Sequence, residues 1–264
     1  MHLHELWTDD AAVVVDAASG CRLASLRVNG LELLVGRSED PLGWGCYPMV
    51  PWAGRLGGAH FHFDSDRHEV APNLGPHAAH GLGFDQPWAV TSAGPNNLTS
   101  ELYLGPPWPF GGRVVQHVEL TPGRLVLTLD ILADARPMPA MAGWHPWFNR
   151  RLDRGRAVEL EVDPVAMYER DDRHLPTGRL VPPGPRPWDD CVTGMRADPI
   201  LRWPEALELR LTSTCDSWVI YDEPDHAVCV EPQTGPPDEF NRSPVIAAPG
   251  RPLRAGFTLA WREL

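Results

Sequence analysis

A chain of 264 residues in which 29 prolines and 24 glycines are spread along the length leaves few windows for an uninterrupted three-turn helix. The formal charge of −12 offers no basic face to a nucleic-acid backbone, and the 23 basic residues are all arginine, which excludes Schiff-base or general-base chemistry on lysine. There is no stretch of roughly eighteen uncharged apolar residues, and the opening MHLHELWTDDAAVVV lacks the cationic region and apolar core of a signal peptide, so a soluble cytoplasmic protein is expected.

Period-two alternation between turn residues predicts strands over 11–15, 21–28, 59–63, 89–92, 98–104 and 114–120, then over 125–132, 158–162, 207–212, 218–221, 227–230 and 254–261. The segment VVQHVELTPGRLVLTLDIL predicts a hairpin, because proline pre-sets one dihedral of the Thr-Pro-Gly-Arg turn and glycine supplies the other. So many short strands, with too little helix between them for parallel crossovers, predict an all-β fold of packed antiparallel sheets in one domain over 1–264. No repeat of twenty to fifty residues points to a propeller. Residues 171–198 are rich in proline, glycine and charge, and are expected to form a long ordered loop over that domain.

His60 and His62 share a strand face, as two metal ligands would, with His68 or Asp64 as a third; exposed histidines on a polar face are the simpler explanation, and no metal is expected. Cys21, Cys46, Cys191, Cys215 and Cys229 are odd in number and form no C-x-x-C pair, as in a reduced protein that uses cysteine as a small buried hydrophobe. His77 and His80 fall in a glycine-rich loop, and His145 lies between two tryptophans in AGWHPWFN. Each alone reads as an ordinary packed histidine. Glu231 ends the apolar run AVCVE, where a carboxylate is costly unless paired or at a site, and loop histidines beside a strand-end carboxylate are what acid and base catalysis needs. Trp44, Trp52, Trp88, Trp144 and Trp147 lie near these loops, and Arg55, Asp189, Asp190 and Gln233 add polar partners. That set suits a neutral polyhydroxylated ligand held against an aromatic ring.

The succession YPMVPWAGRLGGAHFHFDSDRHEV, HAAHGLGFDQPW, AGWHPWF, WDDCVTG, CVEPQTGPPDEFN and APGRPLRAGFTLAW resembles the aldose 1-epimerase, or galactose mutarotase-like, family. The resemblance implies a large antiparallel β-sandwich with a sugar cleft and no cofactor or metal. By motif, Glu231 resembles the general base and His145 the general acid; Arg55 and His80 resemble residues that bind and polarise the sugar, and Asp189 resembles a hydroxyl-binding carboxylate, with Asp190 its close competitor. Trp144 and Gln233 join them as expected substrate contacts.

The chain departs from longer galactose mutarotases at Gly54 and Trp144, where asparagine is usual. Gly83 and Phe84 stand where members acting on phosphorylated sugars often have arginine, although Arg150 and Arg151 follow the acid motif and are candidates to reach a phosphate. The expected activity is anomer interconversion of a free aldose. The alternatives are a hexose-6-phosphate 1-epimerase, a non-catalytic carbohydrate-binding protein and a lyase or glycoside-processing enzyme. The expected partner is a small sugar, with no nucleic acid and no membrane, on a monomer or homodimer.

Overall fold

In the segment Arg113–Thr121, Val114, Gln116, Val118 and Leu120 are buried while the residues between them are not, so one face of the strand is written into the alternation. It pairs antiparallel with Arg124–Leu132 through the predicted hairpin, whose turn carries Gly123 at φ +80°. A computed structural model describes residues 3–264, and among them there is no α-helix. Among the described residues the strands form an eleven-stranded and an eight-stranded sheet, accompanied by three two-stranded ladders, and every strand pair in them is antiparallel.

The larger sheet runs, side by side, through Arg22–Val28, Cys46–Met49, Gly143–Asn149, Ala227–Gln233, Ser217–Tyr221, Asp189–Met195 and Pro164–Arg170. The smaller is built around Arg113–Thr121, Arg124–Leu132, Leu253–Glu263 and Leu207–Ser213. One face of the larger sheet packs on the smaller. The ring of Trp144 lies 5.8 Å from that of Phe257, Trp218 lies 6.3 Å from the same ring, and Gln116 donates to the Cys21 carbonyl at 2.7 Å. Buried residues from both sheets belong to a continuous apolar cluster, in which each fully buried large aliphatic or aromatic side chain contributes roughly 1.5–3 kcal/mol. The other face of the larger sheet is left to build a cleft.

Three expectations need correction. Residues 171–198 are not one loop. They contain the strands Pro176–Val181 and Asp189–Met195, the latter paired on both sides, so hydrogen-bonded ladders order a stretch whose composition reads as irregular. His145 does not sit on a loop; it lies within the strand Gly143–Asn149, where burial on both faces erases the alternation that would mark it. The strand that carries Glu231 does not stop there but continues through Pro232 to Gln233, which pairs with both Gly143 and Ser217.

All five cysteines are free and buried. Burial pushes the thiols upward, those of Cys21 and Cys215 to about 11.

Candidate active site

The strands Gly143–Asn149 and Ala227–Gln233 are antiparallel neighbours, paired at Gly143 with Gln233 and at Trp147 with Cys229. That register sets His145 across from Glu231, at the stretch where Pro146 and Pro232 supply no backbone N–H to the ladder. His145 Nε2 lies 3.2 Å from Glu231 Oε1, with both side chains almost fully buried. Gln233, two residues further along the same strand face, donates from Nε2 to Glu231 Oε2 at 3.3 Å, while its Oε1 is buried without a hydrogen-bond partner.

Arg55 and His80 arrive together on a small ladder. Arg55 pairs with Ala79, and the His80 N–H donates to the Gly54 carbonyl at 3.0 Å. The chain then turns sharply at Gly81, where φ is +81° and a Cβ would lie 2.0 Å from the Val50 carbonyl oxygen, so only glycine fits beneath His80. The His80 and His145 rings meet edge to face at 5.0 Å. Across the cleft, an Arg55 guanidinium nitrogen donates to Asp189 Oδ2 at 3.0 Å. Asp189 lines the main cleft, whereas Asp190 is held by Arg170 Nε at 3.0 Å beside a smaller adjoining pocket.

The cleft has a volume of about 260 Å³, and its walls include Arg55, His80, His145, Asp189, Glu231 and Gln233. Trp144 is not among them. Strand alternation turns its side chain to the opposite face from His145, where it is fully buried, packs on Phe257 and donates to Gln116 Oε1 at 3.3 Å. Trp147, two residues from His145, is the tryptophan that faces the cleft, joined by Tyr47, Tyr221 and Asp40. The period-two rule applied to WHPW separates the two tryptophans once the segment is known to be a strand. Replacement of Trp144 by phenylalanine leaves the Gln116 oxygen unpaired in the core and is expected to destabilise by about 1–3 kcal/mol while KM holds. Urea unfolding alongside steady-state kinetics checks both.

Burial drives the electrostatics. It raises the Glu231 carboxyl well above the ordinary carboxylate range, reinforced by Asp189 and opposed by Arg55. It holds the His145 imidazole well below its ordinary value, with His80 adding to the effect, and lowers His80 to about 3, with Arg55 adding. Neutral His145 with protonated Glu231 and charged His145 with ionised Glu231 hold the same number of protons. The pair is therefore a one-proton unit, in which burial favours the proton on the carboxyl and the 3.2 Å contact supports its transfer to the ring.

A stability consequence follows. A folded-state value raised above the unfolded one means that the Glu231 contribution is fully present below about pH 4.3 and is lost as pH rises toward the folded value. Glutamine has no such loss. The Tm of Glu231→Gln relative to the parent is therefore expected to rise between pH 5 and 8, which thermal unfolding at several pH values measures.

His145, Cys229 and Glu231 present ligand atoms within 4.8 Å of one another, the three-donor group found among the described residues. Cation binding there requires a thiolate from Cys229, and burial holds that thiol well above its ordinary value. The donor set is a poor fit for a resident metal. His60 and His62 do face one another, with ring centroids 5.8 Å apart, but His68 packs instead on Phe61 and Phe110 at 5.1 and 4.9 Å.

Two antiparallel sheets packed face to face, with a polar cleft on the outer face of the larger one, make this an all-β sandwich with a ligand cleft. The aldose 1-epimerase family model matches residues 3–260. The chain belongs to the aldose 1-epimerase family. Its fold is similar to that of a galactose mutarotase-like protein from Clostridium acetobutylicum, at 13% identity and a TM-score of 0.86, covering 98% of this chain and 95% of that one. It is also similar to a galactose 1-epimerase from Lactobacillus acidophilus NCFM, at 15% identity and a TM-score of 0.81, covering 98% and 93%. At these identities the likeness establishes the fold alone. A stretch of 106 residues is 31% identical to the uncharacterized protein YphB of Escherichia coli K12, and this match spans 39% of the present chain and 36% of that relative.

Proposed function

We propose that this protein is an aldose 1-epimerase that interconverts the α and β anomers of a free, unphosphorylated aldose. The observation that carries the reading is the His145–Glu231 contact at the floor of a polar cleft. Ring opening requires one proton to leave the anomeric hydroxyl and one to reach the ring oxygen, both bonded to the same carbon. Two adjacent groups that share one proton match that demand. Glu231 takes the hydroxyl proton while His145, charged, protonates the ring oxygen. The C1–O5 bond breaks and an aldehyde forms at C1. The pair now stands as neutral histidine and protonated glutamate, the state that burial favours. Rotation about C1–C2 presents the other aldehyde face, and reversal of both transfers closes the ring as the opposite anomer. No redox partner or cofactor enters this balance.

Arg55 and His80 are assigned to hold and polarise the sugar near its reactive oxygens, and Asp189 to accept from a hydroxyl. The unpartnered Gln233 Oε1 is a further hydroxyl acceptor. A neutral substrate is favoured because Asp40, Asp189 and Glu231 line the cleft against a single arginine, Arg55. Arg150, the candidate phosphate ligand, already donates to the backbone carbonyls of Pro224 and Asp222. We also read residues 1–264 as one domain, supported by the core cluster shared by both sheets. The buried free thiols suit a reducing cytoplasm.

NMR exchange spectroscopy on a panel of free aldoses and one hexose 6-phosphate tests the reading. Accelerated exchange with a free aldose supports it. Acceleration confined to the phosphate would assign the phosphorylated substrate. Exchange at the spontaneous rate for every sugar, with ligand resonances still shifted, would replace turnover by binding. An unsaturated or cleaved product would replace it by lyase or hydrolase chemistry.

A further inference from the structure

The His145 ring stacks with two neighbours. The Tyr47 ring, its cross-strand partner, lies with centroids 5.0 Å apart and planes inclined by 24°, and the Trp147 indole, two residues along the same strand, lies at 5.2 Å and 17°. Both flanking rings hang from the same backbone atom, since the Tyr47 hydroxyl donates to the Leu42 carbonyl at 3.1 Å and Trp147 Nε1 donates to it at 2.7 Å. A working histidine is usually oriented by a hydrogen bond from its second ring nitrogen. Here that nitrogen, Nδ1, is buried with no partner. The direction in which Nε2 points has to be set by something else.

We propose that Tyr47 and Trp147 are positioning residues that clamp the His145 ring against two stacked π faces and so hold Nε2 on its line to Glu231 and the sugar. This rests on the assignment of His145 as the proton donor. The clamp also gives the imidazolium two negative ring faces when it carries the proton, an attraction that grows as water is excluded. Among the other groups around the ring, Arg22 and His80 oppose its charge. Glu231 favours it through direct contact. Cys229 lies beside it in the same cluster, Arg55 and Asp189 line the same cleft, and His226 stacks with Trp147 at 6.1 Å.

The test compares Tyr47→Leu and Trp147→Leu, which remove a π face, with Tyr47→Phe, which keeps the face and loses only the bond to Leu42, and with Trp147→Phe, which keeps a smaller aromatic face and loses that bond. Misplacement of a catalytic group by about 1 Å costs on the order of 100-fold, so each leucine variant is expected to lose about 10–100-fold in kcat. Tyr47→Phe is expected to stay within about threefold of the parent. KM is expected to change less than kcat in Tyr47→Leu, because the Tyr47 ring borders the cleft without an exposed surface of its own. If that variant fails to fold, Trp147→Leu, altered at the cleft wall, carries the comparison. Carbon-13 relaxation at Cε1 of His145 in the empty protein reads ring mobility independently of turnover: rigid in the parent and phenylalanine variants, mobile in the leucine variants. Leucine variants with parental kcat or a rigid ring, or a Tyr47→Phe variant as slow as Tyr47→Leu, overturn the clamp. A parent that turns over no sugar overturns the catalytic reading instead and leaves the clamp to the relaxation result.

Discussion

Glu231→Gln is expected to lower enzyme-catalysed anomer exchange by about 10²–10⁴-fold, the usual contribution of a positioned general base. The change is nearly isosteric. The new amide oxygen still accepts from Gln233 Nε2, which donates to the parent carboxylate at 3.3 Å, so the strand and its neighbours have no reason to move. What disappears is the ability to receive a proton at the position facing the cleft. Loss of exchange together with a Tm that holds or rises identifies a group kept for chemistry at a cost in stability. Exchange at the parental rate would remove Glu231 from the reaction and reassign it as a structural carboxyl.

His145→Asn is expected to cost a similar 10²–10⁴-fold, and the double variant with Glu231→Gln should be about as slow as the slower single one. Groups that act as a unit are not additive in their loss. The sharing of one proton across 3.2 Å makes these two such a unit, since neither transfer completes without the other. Single-turnover or line-shape exchange rates on the three proteins give the coupling directly. Multiplication of the two separate losses in the double variant would mean that the residues act in separate steps, and the concerted relay would fall.

The hairpin over 113–132 was legible because one face of it is buried and the other is not, so apolar and polar residues alternate. The all-β character follows from the same signal repeated. The strand that carries His145 escaped the rule because both its faces are covered, one by the second sheet and the other by the rings of the cleft. A motif placed Trp144 beside His145 in the chain, and adjacency is not proximity on a strand: neighbours point to opposite faces. The choice between Asp189 and Asp190 is of the same kind. Composition misread 171–198, because a polar, proline-rich strand is ordered by the partners that hydrogen-bond to it, and those partners are distant in sequence. The meeting of Arg55 with Asp189 joins positions 134 residues apart and has no local signature.

The five concealed thiols make the molecule its own opening clock. A thiolate is the reactive form, so a thiol that is both shielded and held above its ordinary value stays silent toward an alkylating reagent until the surrounding structure parts. The clock has separate hands. Cys21, whose sulfur lies 2.8 Å from the Ser100 hydroxyl between the two sheets, keeps time for their separation. Cys229, beside His145 and Glu231, keeps time for the sheet beneath the cleft. A sugar that binds only the closed form should slow the second hand in proportion to its occupancy, so an alkylation rate at one cysteine ranks ligands without any turnover being observed.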